Sequence, residues 1–280
     1  MTHRMLRRTL YWSSHYLLIG LYVLFALFPL FWLFKVALTP NDLLYSEGIR
    51  LWPSRTSMEH FRFVLTHSEF PLFFRNSLIV SSSTAVTVTL ISGASGYGMS
   101  RFSFRGKPLL VALMLTTQMF PLVMLVAPMF RLLAPLGLTN SLTGLVIVYS
   151  AFNAPFATFL MQSFFDAIPK ELEEAAMIDG ATRFGAFRRI ILPLTLPGIA
   201  ATGGFVFTAA WSELLFALML NSSSQASTFP VGLLSFVSKF SVDFGQMMAA
   251  GVLALIPACL FFFAIQRYLV RGLTAGAVKG

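Results

Sequence analysis

Long apolar stretches dominate the pattern of hydrophobic and polar positions along this chain. Six stretches are almost free of charged residues: 16–38, 76–97, 109–133, 142–165, 194–220 and 247–270. At about 1.5 Å per residue, each can cross the ~30 Å hydrocarbon layer of a bilayer as a helix. The pattern therefore predicts an all-α polytopic membrane protein with six transmembrane helices.

The composition supports this prediction and excludes several other classes. Of the 280 residues, 56% are hydrophobic and only 11% are charged, whereas an ordinary globular chain carries about 25% charged residues. A water-soluble enzyme, a collagen and a disordered tail are therefore all excluded.

The positive charges are unevenly placed, and their placement predicts the orientation of the chain. Thirteen of the 20 Lys and Arg residues lie at the two chain ends and in the second and fourth of the five loops between spans. Cytoplasmic loops are enriched in Lys and Arg, so both termini are predicted to be cytoplasmic. The predicted organisation is a cytoplasmic segment at 1–15, a transmembrane domain at 16–270 with a cytoplasmic loop at 166–193, and a cytoplasmic tail at 271–280. The net charge of +9 then indicates topology and contact with membrane lipid, and no nucleic acid partner is expected.

The six windows differ in ways that bear on packing. Small and hydroxyl residues crowd the second window, and such residues let membrane helices approach closely, so this helix is expected inside the bundle. Prolines in later windows are expected to kink their helices, because each removes a backbone hydrogen bond. An ordinary bundle of bent helices and a gated pathway between them both fit this pattern. The prolines are Pro121, Pro128, Pro155, Pro197 and Pro257.

The loop at 166–193 carries the start and stop signals of two short helices. Pro169 suits a first helical turn, acidic residues follow it where the helix dipole favours negative charge, and Gly180 suits a left-handed stop. A second helix is predicted from Ala181 to about Ile191, with Pro193 just beyond its end. The loop is therefore predicted to be a helix-turn-helix on the cytoplasmic side.

Each predicted helix has a distinct face. Leu172, Ala175, Ala176 and Asp179 follow helical spacing on the first helix and form a face of low profile around the two alanines. Phe184 and Phe187 line the second helix. A small-faced, partly apolar helix pair outside the membrane suits a groove in another protein.

Seven residues of this loop follow one spacing pattern: Glu174-Ala175-Ala176, three residues, Gly180, nine residues, Ile190, one residue, Leu192-Pro193. This pattern resembles the EAA signature of the membrane permease subunits of bacterial ATP-binding-cassette (ABC) importers. Ser212 departs from the family pattern, in which Asn is expected between a Trp and an acid. Further stretches resemble the carbohydrate-importing branch of the maltose-transporter type: 76–77, 101–107, 211–214, 229–232 and 272–280.

The resemblance implies the type I ABC importer permease fold, in a bacterial cytoplasmic (inner) membrane. It also implies partners: an extracytoplasmic sugar-binding protein, a second permease subunit that completes a heterodimer, and two ATPase subunits that bind ATP and Mg²⁺. The helix pair would dock in an ATPase cleft and transmit its closure, so that the spans alternate access for a sugar. The implied coupling residues are Glu174, Ala175, Ala176, Asp179, Gly180, Phe184, Ile190, Leu192 and Pro193. The implied ATPase-contacting tail residues are Leu273, Thr274, Ala275 and Gly276.

The chain has no energy source or catalytic constellation of its own. Gly106-Lys107 is followed by Pro108, and no phosphate-binding Gly-rich loop is present. The four His residues are scattered and lack Cys neighbours, so no metal site is expected. A non-catalytic transport subunit without a cofactor of its own is therefore predicted.

Polar residues inside the apolar windows are candidates for a sugar pathway, although each of them also suits structural packing. Glu213 is the one acid well inside a window, and such a residue predicts a functional site. One hypothesis gives it a role in coupling transport to protons or sodium, and the other pairs it with a neighbour near the outer end of its span. The pathway candidates are Gln118, Tyr149, Asn153, Trp211 and Glu213.

Three other functions compete with a carbohydrate permease. An ion-coupled secondary carrier needs ionisable residues near mid-membrane and usually internal repeats, but only Glu213 qualifies and the sequence shows no repeat. An ABC permease for a non-sugar solute would keep the EAA signature. A freestanding channel would have no use for a capped helix pair on the cytoplasmic side, so this function leaves the loop at 166–193 unexplained.

Overall fold

The computed structural model describes residues 2–47, 49–238 and 241–277, and side chains from residue 11 to residue 266 within those ranges. This described part is helical nearly throughout, with one isolated antiparallel bridge between Val237 and Val242. Short 3₁₀ turns lie at Ala134–Leu136, Ser224–Ala226 and Leu234–Phe236, and Phe187–Ile191 is a π-helical turn. The α-helices are α1 (Thr2–Leu38), α2 (Asn41–Leu44), α3 (Glu59–Thr66), α4 (Phe70–Arg101), α5 (Lys107–Met119), α6 (Leu122–Leu133), α7 (Leu142–Asp166), α8 (Glu171–Ile178), α9 (Arg183–Ala186), α10 (Leu192–Leu194), α11 (Leu196–Trp211), α12 (Leu215–Leu220), α13 (Phe229–Leu233) and α14 (Phe244–Ala277).

Four helical stretches of the described chain are long and apolar enough to cross a bilayer by themselves: Tyr11–Leu38, Phe70–Arg101, Leu142–Asp166 and Phe244–Gln266. Two bent helix pairs bring the number of spans to six if each pair counts as one. The fold is therefore the all-α polytopic arrangement that the hydrophobic pattern predicts.

The predicted third span, 109–133, is broken in the structure rather than kinked. α5 ends at Met119, α6 begins at Leu122, and the helical segments on either side differ in direction by 104°. Between them Phe120 is extended, with φ −75° and ψ 131°. A residue before proline is driven out of the helical region, so Pro121 ends the helix and does not merely bend it.

The predicted fifth span, 194–220, is also divided. A 68° bend separates the helical stretch ending at Leu194 from α11, and the short helix α12 follows only after a non-helical break. Pro197 does not kink this span as predicted, because it lies in the first turn of α11. There its missing N–H costs no helical hydrogen bond.

The chain forms two compact units. The first contains the chain up to Phe70 together with Leu233–Leu255, and the second contains Pro71–Gly232 and the chain from Ile256 onward. In the second unit, one buried cluster joins α4, α6, α7, α11 and α12, and another joins α7 to the loop after it. The first cluster includes Val80, Leu145 and Phe216, and the second includes Met161, Phe165 and Ile191.

α4 and α7 approach each other closely at Gly96. A Cβ atom at this position would lie 2.9 Å from the backbone nitrogen of Gln162. One residue earlier, the hydroxyls of Ser95 and Thr158 lie 2.9 Å apart. The expectation that small residues bring the second span into the bundle agrees with this contact, whereas at Gly98 a Cβ would meet nothing within 4 Å.

Candidate coupling site

α8 is a short helix with a complete C-terminal cap. Its first residue is Glu171, so Pro169 lies two residues before the helix and not in the first turn predicted for it. It ends where Gly180 takes φ +91°, the left-handed conformation that glycine adopts at little cost. The Gly180 N–H donates to the Met177 carbonyl, and the Ala181 N–H donates to the Ala176 carbonyl. This is a Schellman motif, so the predicted stop at Gly180 is confirmed.

The second helix of the loop is longer than predicted. The Thr182 hydroxyl accepts from the Gly185 N–H at 3.1 Å and caps α9, and the helical path then continues through a π turn into α10. Pro193 therefore lies inside the helical stretch and not beyond it. The wide π turn makes this possible, because the Leu192 N–H bonds back to Phe187 and the chain needs no N–H donor at Pro193.

A buried ion pair attaches α8 to the end of α4. Arg101 Nε donates to Glu173 Oε2 at 3.2 Å, and the two side chains are only 5% and 6% exposed. The Tyr97 hydroxyl donates to the other Glu173 oxygen, and Arg101 Nη2 donates to the Ile168 carbonyl at 2.9 Å. The sequence prediction missed this role, although Arg101 begins one of the stretches that resemble the family and Glu173 precedes the signature acid.

A second polar contact fixes the end of α7 beside this pair. The Ser100 hydroxyl donates to Asp166 Oδ1 at 2.5 Å, and Lys107 Nζ donates to the Met99 carbonyl at 2.6 Å. The ends of α4 and α7 are therefore tied to each other and to α8, so the helix pair is held on the spans rather than hanging as a free loop.

The side of the helix pair away from this ion pair is open. Ile178 is 85% exposed there. A groove of about 530 Å³ runs between the two helices, and we call it the coupling groove. Of the predicted coupling residues, it is lined by Ala175, Ala176, Asp179, Gly180 and Ile190.

The other predicted coupling residues lie outside the coupling groove. Glu174 lines a small recess that also contains Arg101. Phe184 and Leu192 line a larger apolar cavity of about 670 Å³, and Pro193 is exposed. The predicted tail contacts Leu273, Thr274, Ala275 and Gly276 lie on the last turns of α14, and their side chains are outside the described ones.

Several of the predicted pathway residues come together near the break between α11 and α12. The Tyr149 hydroxyl donates to Glu213 Oε2 at 2.5 Å, and Asn153 Nδ2 donates to the Tyr149 carbonyl at 2.8 Å. Gln118 Nε2, on α5, donates at 3.2 Å to the carbonyl of Phe152, which lies on α7 together with Tyr149 and Asn153. The hypothesis that Glu213 pairs with a neighbour therefore agrees with the geometry.

Trp211 is placed differently. It is buried among aromatic rings of its own chain, with ring centroids 5.5 Å from Phe74, 5.7 Å from Phe207 and 4.6 Å from Phe229. Its ring faces are therefore occupied by packing within this subunit, which disfavours the predicted place of Trp211 in a sugar pathway.

Comparison with known proteins gives one consistent result. Residues 85–275 match the family described as the binding-protein-dependent transport system inner membrane component. The chain is 37% identical over 253 residues to a diacetylchitobiose uptake system permease protein of Streptomyces coelicolor, covering 90% of this chain and 92% of that protein. It is 36% identical over 276 residues to a trehalose transport system permease protein of Mycobacterium tuberculosis, covering 98% and 99%.

Solved structures share the fold. A chain of a bacterial ABC transporter involved in the import of the acidic polysaccharide alginate superposes with a TM-score of 0.80 at 21% identity, covering 93% of this chain and 96% of that one. A chain of the MetNI methionine ABC transporter in an inward-facing conformation gives a TM-score of 0.59 at 17% identity, covering 76% and 98%.

Proposed function

Because the chain belongs to the family of binding-protein-dependent transport system inner membrane components, and is thus the non-catalytic permease subunit of an ABC importer, we propose that it carries a carbohydrate inward. The relatives support this cargo, since they are permeases for diacetylchitobiose, trehalose and, in Thermococcus litoralis, trehalose and maltose. The class that these names share is an oligosaccharide or glycoside.

The coupling groove is the observation that carries the ATP-driven part of this proposal, in which a partner ATPase drives the transport. An ATP-driven permease without a nucleotide site of its own needs a rigid surface that an ATPase can hold. α8 supplies this surface because it is closed by its Schellman cap and fixed to α4 through the Arg101–Glu173 pair. Ala175 and Gly180 keep the groove low in profile, so a ridge of a partner can enter it.

The family and the charge pattern support a proposal for the assembly. ABC importer permeases work with ATPase subunits, which hold ATP and Mg²⁺, and with a soluble binding protein. For this chain we infer two ATPases, a second permease that completes a heterodimer, and an extracytoplasmic sugar-binding protein. A solved relative of the fold is an alginate transporter in complex with an alginate pentasaccharide-bound periplasmic protein. We also infer a cytoplasmic location for both termini, for the helix pair and for the tail around Leu273 and Gly276.

The chain path suggests how ATPase closure reaches the spans. The second helix of the pair runs through α10 into α11 with only the 68° bend between them. When a partner moves the helix pair, the N-terminal end of α11 therefore moves with it. Rocking of such a rigid element is a common way for transporters to alternate access.

Uptake by the complete transporter tests this function. The permease pair, the ATPases and the binding protein would be reconstituted in proteoliposomes with ATP on the ATPase side, and labelled disaccharides and oligosaccharides would be supplied. We expect ATP-dependent uptake of at least one carbohydrate, and we expect it to persist when an ionophore collapses the ion gradients. Uptake that stops with the ionophore while ATP is held constant would support an ion-coupled carrier. ATP-dependent uptake confined to a non-carbohydrate solute would contradict the proposed cargo.

A further inference from the structure

The fifth span carries a carboxylate at the point where its helix is interrupted. α11 ends at Trp211, α12 begins at Leu215, and Glu213 lies in the break. Glu213 Oε1 accepts from the Phe216 N–H at 3.0 Å, and Oε2 accepts from the Ala217 N–H at 3.2 Å. The first N–H groups of a helix have no partner within it, and in a membrane such unpaired groups are costly. The Glu213 side chain thus caps the first turn of α12 from one residue before the N-cap position, which is Leu214.

The same carboxylate also connects α12 to α7. The Tyr149 hydroxyl donates to Glu213 Oε2 at 2.5 Å, and Tyr149 itself is buried in the core cluster. With two amide donors and one hydroxyl donor, the carboxylate is satisfied by its own chain. This arrangement disfavours a role for Glu213 as a ligand for a sugar or a translocated ion.

The far end of α12 is held in a similar way. The Leu220 carbonyl accepts from the Asn140 N–H at 2.9 Å, and Asn221 Oδ1 accepts from the Ser141 N–H at 3.1 Å. Asn140 and Ser141 immediately precede α7, whose N-terminal cap is Ser141. α12 is therefore tied to the start of α7 and to its middle, and these two helices form one body.

α11 is bounded by an interruption at each end and packs along α7, where the ring centroids of Phe205 and Phe156 lie 4.4 Å apart. Its N-terminal end follows the 68° bend that leads from the coupling groove, and its C-terminal end is the three-residue break that contains Glu213. We propose that Glu213 is a positioning residue for transport: together with Tyr149 it holds α12 on α7 across the break, so that movement of the packed helices α11 and α7 also reaches the far end of the span. This inference rests on the proposed transport function.

Five variants test this role in the reconstituted transporter. They are Glu213→Ala, Glu213→Gln, Tyr149→Phe, the double variant of Glu213→Ala with Tyr149→Phe, and Ser163→Ala. The last is the matched control, because the exposed Ser163 hydroxyl donates to the Leu160 carbonyl of its own helix and lies about 21 Å along α7 from Tyr149. The readouts are sugar molecules imported per ATP hydrolysed, the KM for sugar-loaded binding protein, and the thermal unfolding temperature.

We expect Glu213→Ala to lower the sugar imported per ATP about tenfold with little change in KM, since hydrogen bonds to a charged group are the strong ones. Glu213→Gln keeps one acceptor oxygen for the cap and should retain most of the coupling. Tyr149→Phe should lower the sugar imported per ATP less than Glu213→Ala does. The double variant should be no worse than Glu213→Ala alone, because both changes remove the same contact. Ser163→Ala should behave as wild type.

Three results would overturn the proposal. A raised KM with unchanged sugar per ATP would make Glu213 a substrate ligand. A Glu213→Gln defect as large as that of Glu213→Ala, with uptake that depends on an ion gradient, would make it an ion site. Additive effects of Glu213→Ala and Tyr149→Phe on unfolding temperature would mean that no clamp exists. The unfolding measurement needs no sugar, so failure of this inference is distinguishable from failure of the proposed cargo, which appears as no sugar uptake by the wild-type complex.

Discussion

Glu173 and Glu174 are neighbours in the chain, but their side chains have different surroundings. Glu174 belongs to the sequence signature and its side chain is exposed. Glu173 is buried and holds Arg101, Tyr97 and α4 in place. The spacing pattern places Glu174 in the family signature, and its coupling role stays a prediction. The sequence could not predict the role of Glu173, because which acid in the first turn faces the spans depends on how α8 packs against them.

Replacing Glu173 by Ala is expected to loosen the helix pair. The change leaves the Arg101 guanidinium buried without its carboxylate, and removing one partner of a buried ion pair costs about 3–5 kcal/mol. The unfolding temperature of the purified permease should fall, and proteolysis within 166–193 should become faster. Both can be measured in detergent.

Glu171→Ala is the matched control, because Glu171 is also an acid in the first turn of α8 but is exposed. Removing the Glu171 carboxylate should lower the free energy of unfolding only by its favourable interaction with the helix dipole, about 0.3–1 kcal/mol. A double variant, Arg101→Leu with Glu173→Leu, should be more stable than Glu173→Ala, since no charge is then left unpaired. Equal stability of Glu173→Ala and Glu171→Ala would show that the ion pair does not fix the helix.

Among the helices, the local signals were more informative than the long windows. The end of α8 at Gly180 could be predicted from the sequence, because a left-handed helix cap depends on a glycine at a single position. Hydropathy identified the third and fifth windows, but not their internal breaks, because an extended residue before Pro121 or a capped break at Glu213 keeps the same apolar composition. Helix continuity depends on backbone hydrogen bonds, and composition averages do not report those.

The close contact between α4 and α7 gives a prediction about glycine. Gly96→Ala would place a methyl group 2.8 Å from the Met161 Cβ and 2.9 Å from the Gln162 nitrogen, and such overpacking typically costs about 1–3 kcal/mol. Gly98→Ala, two residues along the same helix, meets open space and should keep or raise stability, since Ala favours a helix over Gly. Thermal unfolding of the two purified variants provides the check. A Gly96→Ala variant as stable as Gly98→Ala would mean that the helices do not approach at this point.

For the molecule as a whole, the second unit joins three features along one path. The helix pair that forms the coupling groove is attached to the ends of α4 and α7, the second helix of the pair leads into α11, and α11 meets the capped break before α12. The class of protein was predictable from the EAA spacing together with the six apolar windows. The pairing of Glu213 with a neighbour was one of two hypotheses from the sequence and agrees with the Tyr149 contact. Its capping of α12 was not predictable, because hydropathy does not show that the span breaks beside Glu213.

Cross-linking from the coupling groove to an ATPase subunit tests most directly whether this surface is held by the energy-supplying partner. The chain has one cysteine, Cys259, so a Cys259→Ala background allows single cysteines at Ala175→Cys and, as a control, at Leu136→Cys. Leu136 is 69% exposed and precedes α7, whereas Ala175 follows it, so about 37 Å of helix separates the two ends. In the complete complex we expect a thiol cross-linker to join Ala175→Cys, but not Leu136→Cys, to an ATPase subunit, with a yield that changes when ATP is added. A complex that hydrolyses ATP and imports its solute without any adduct at Ala175→Cys would contradict this assignment of the coupling groove.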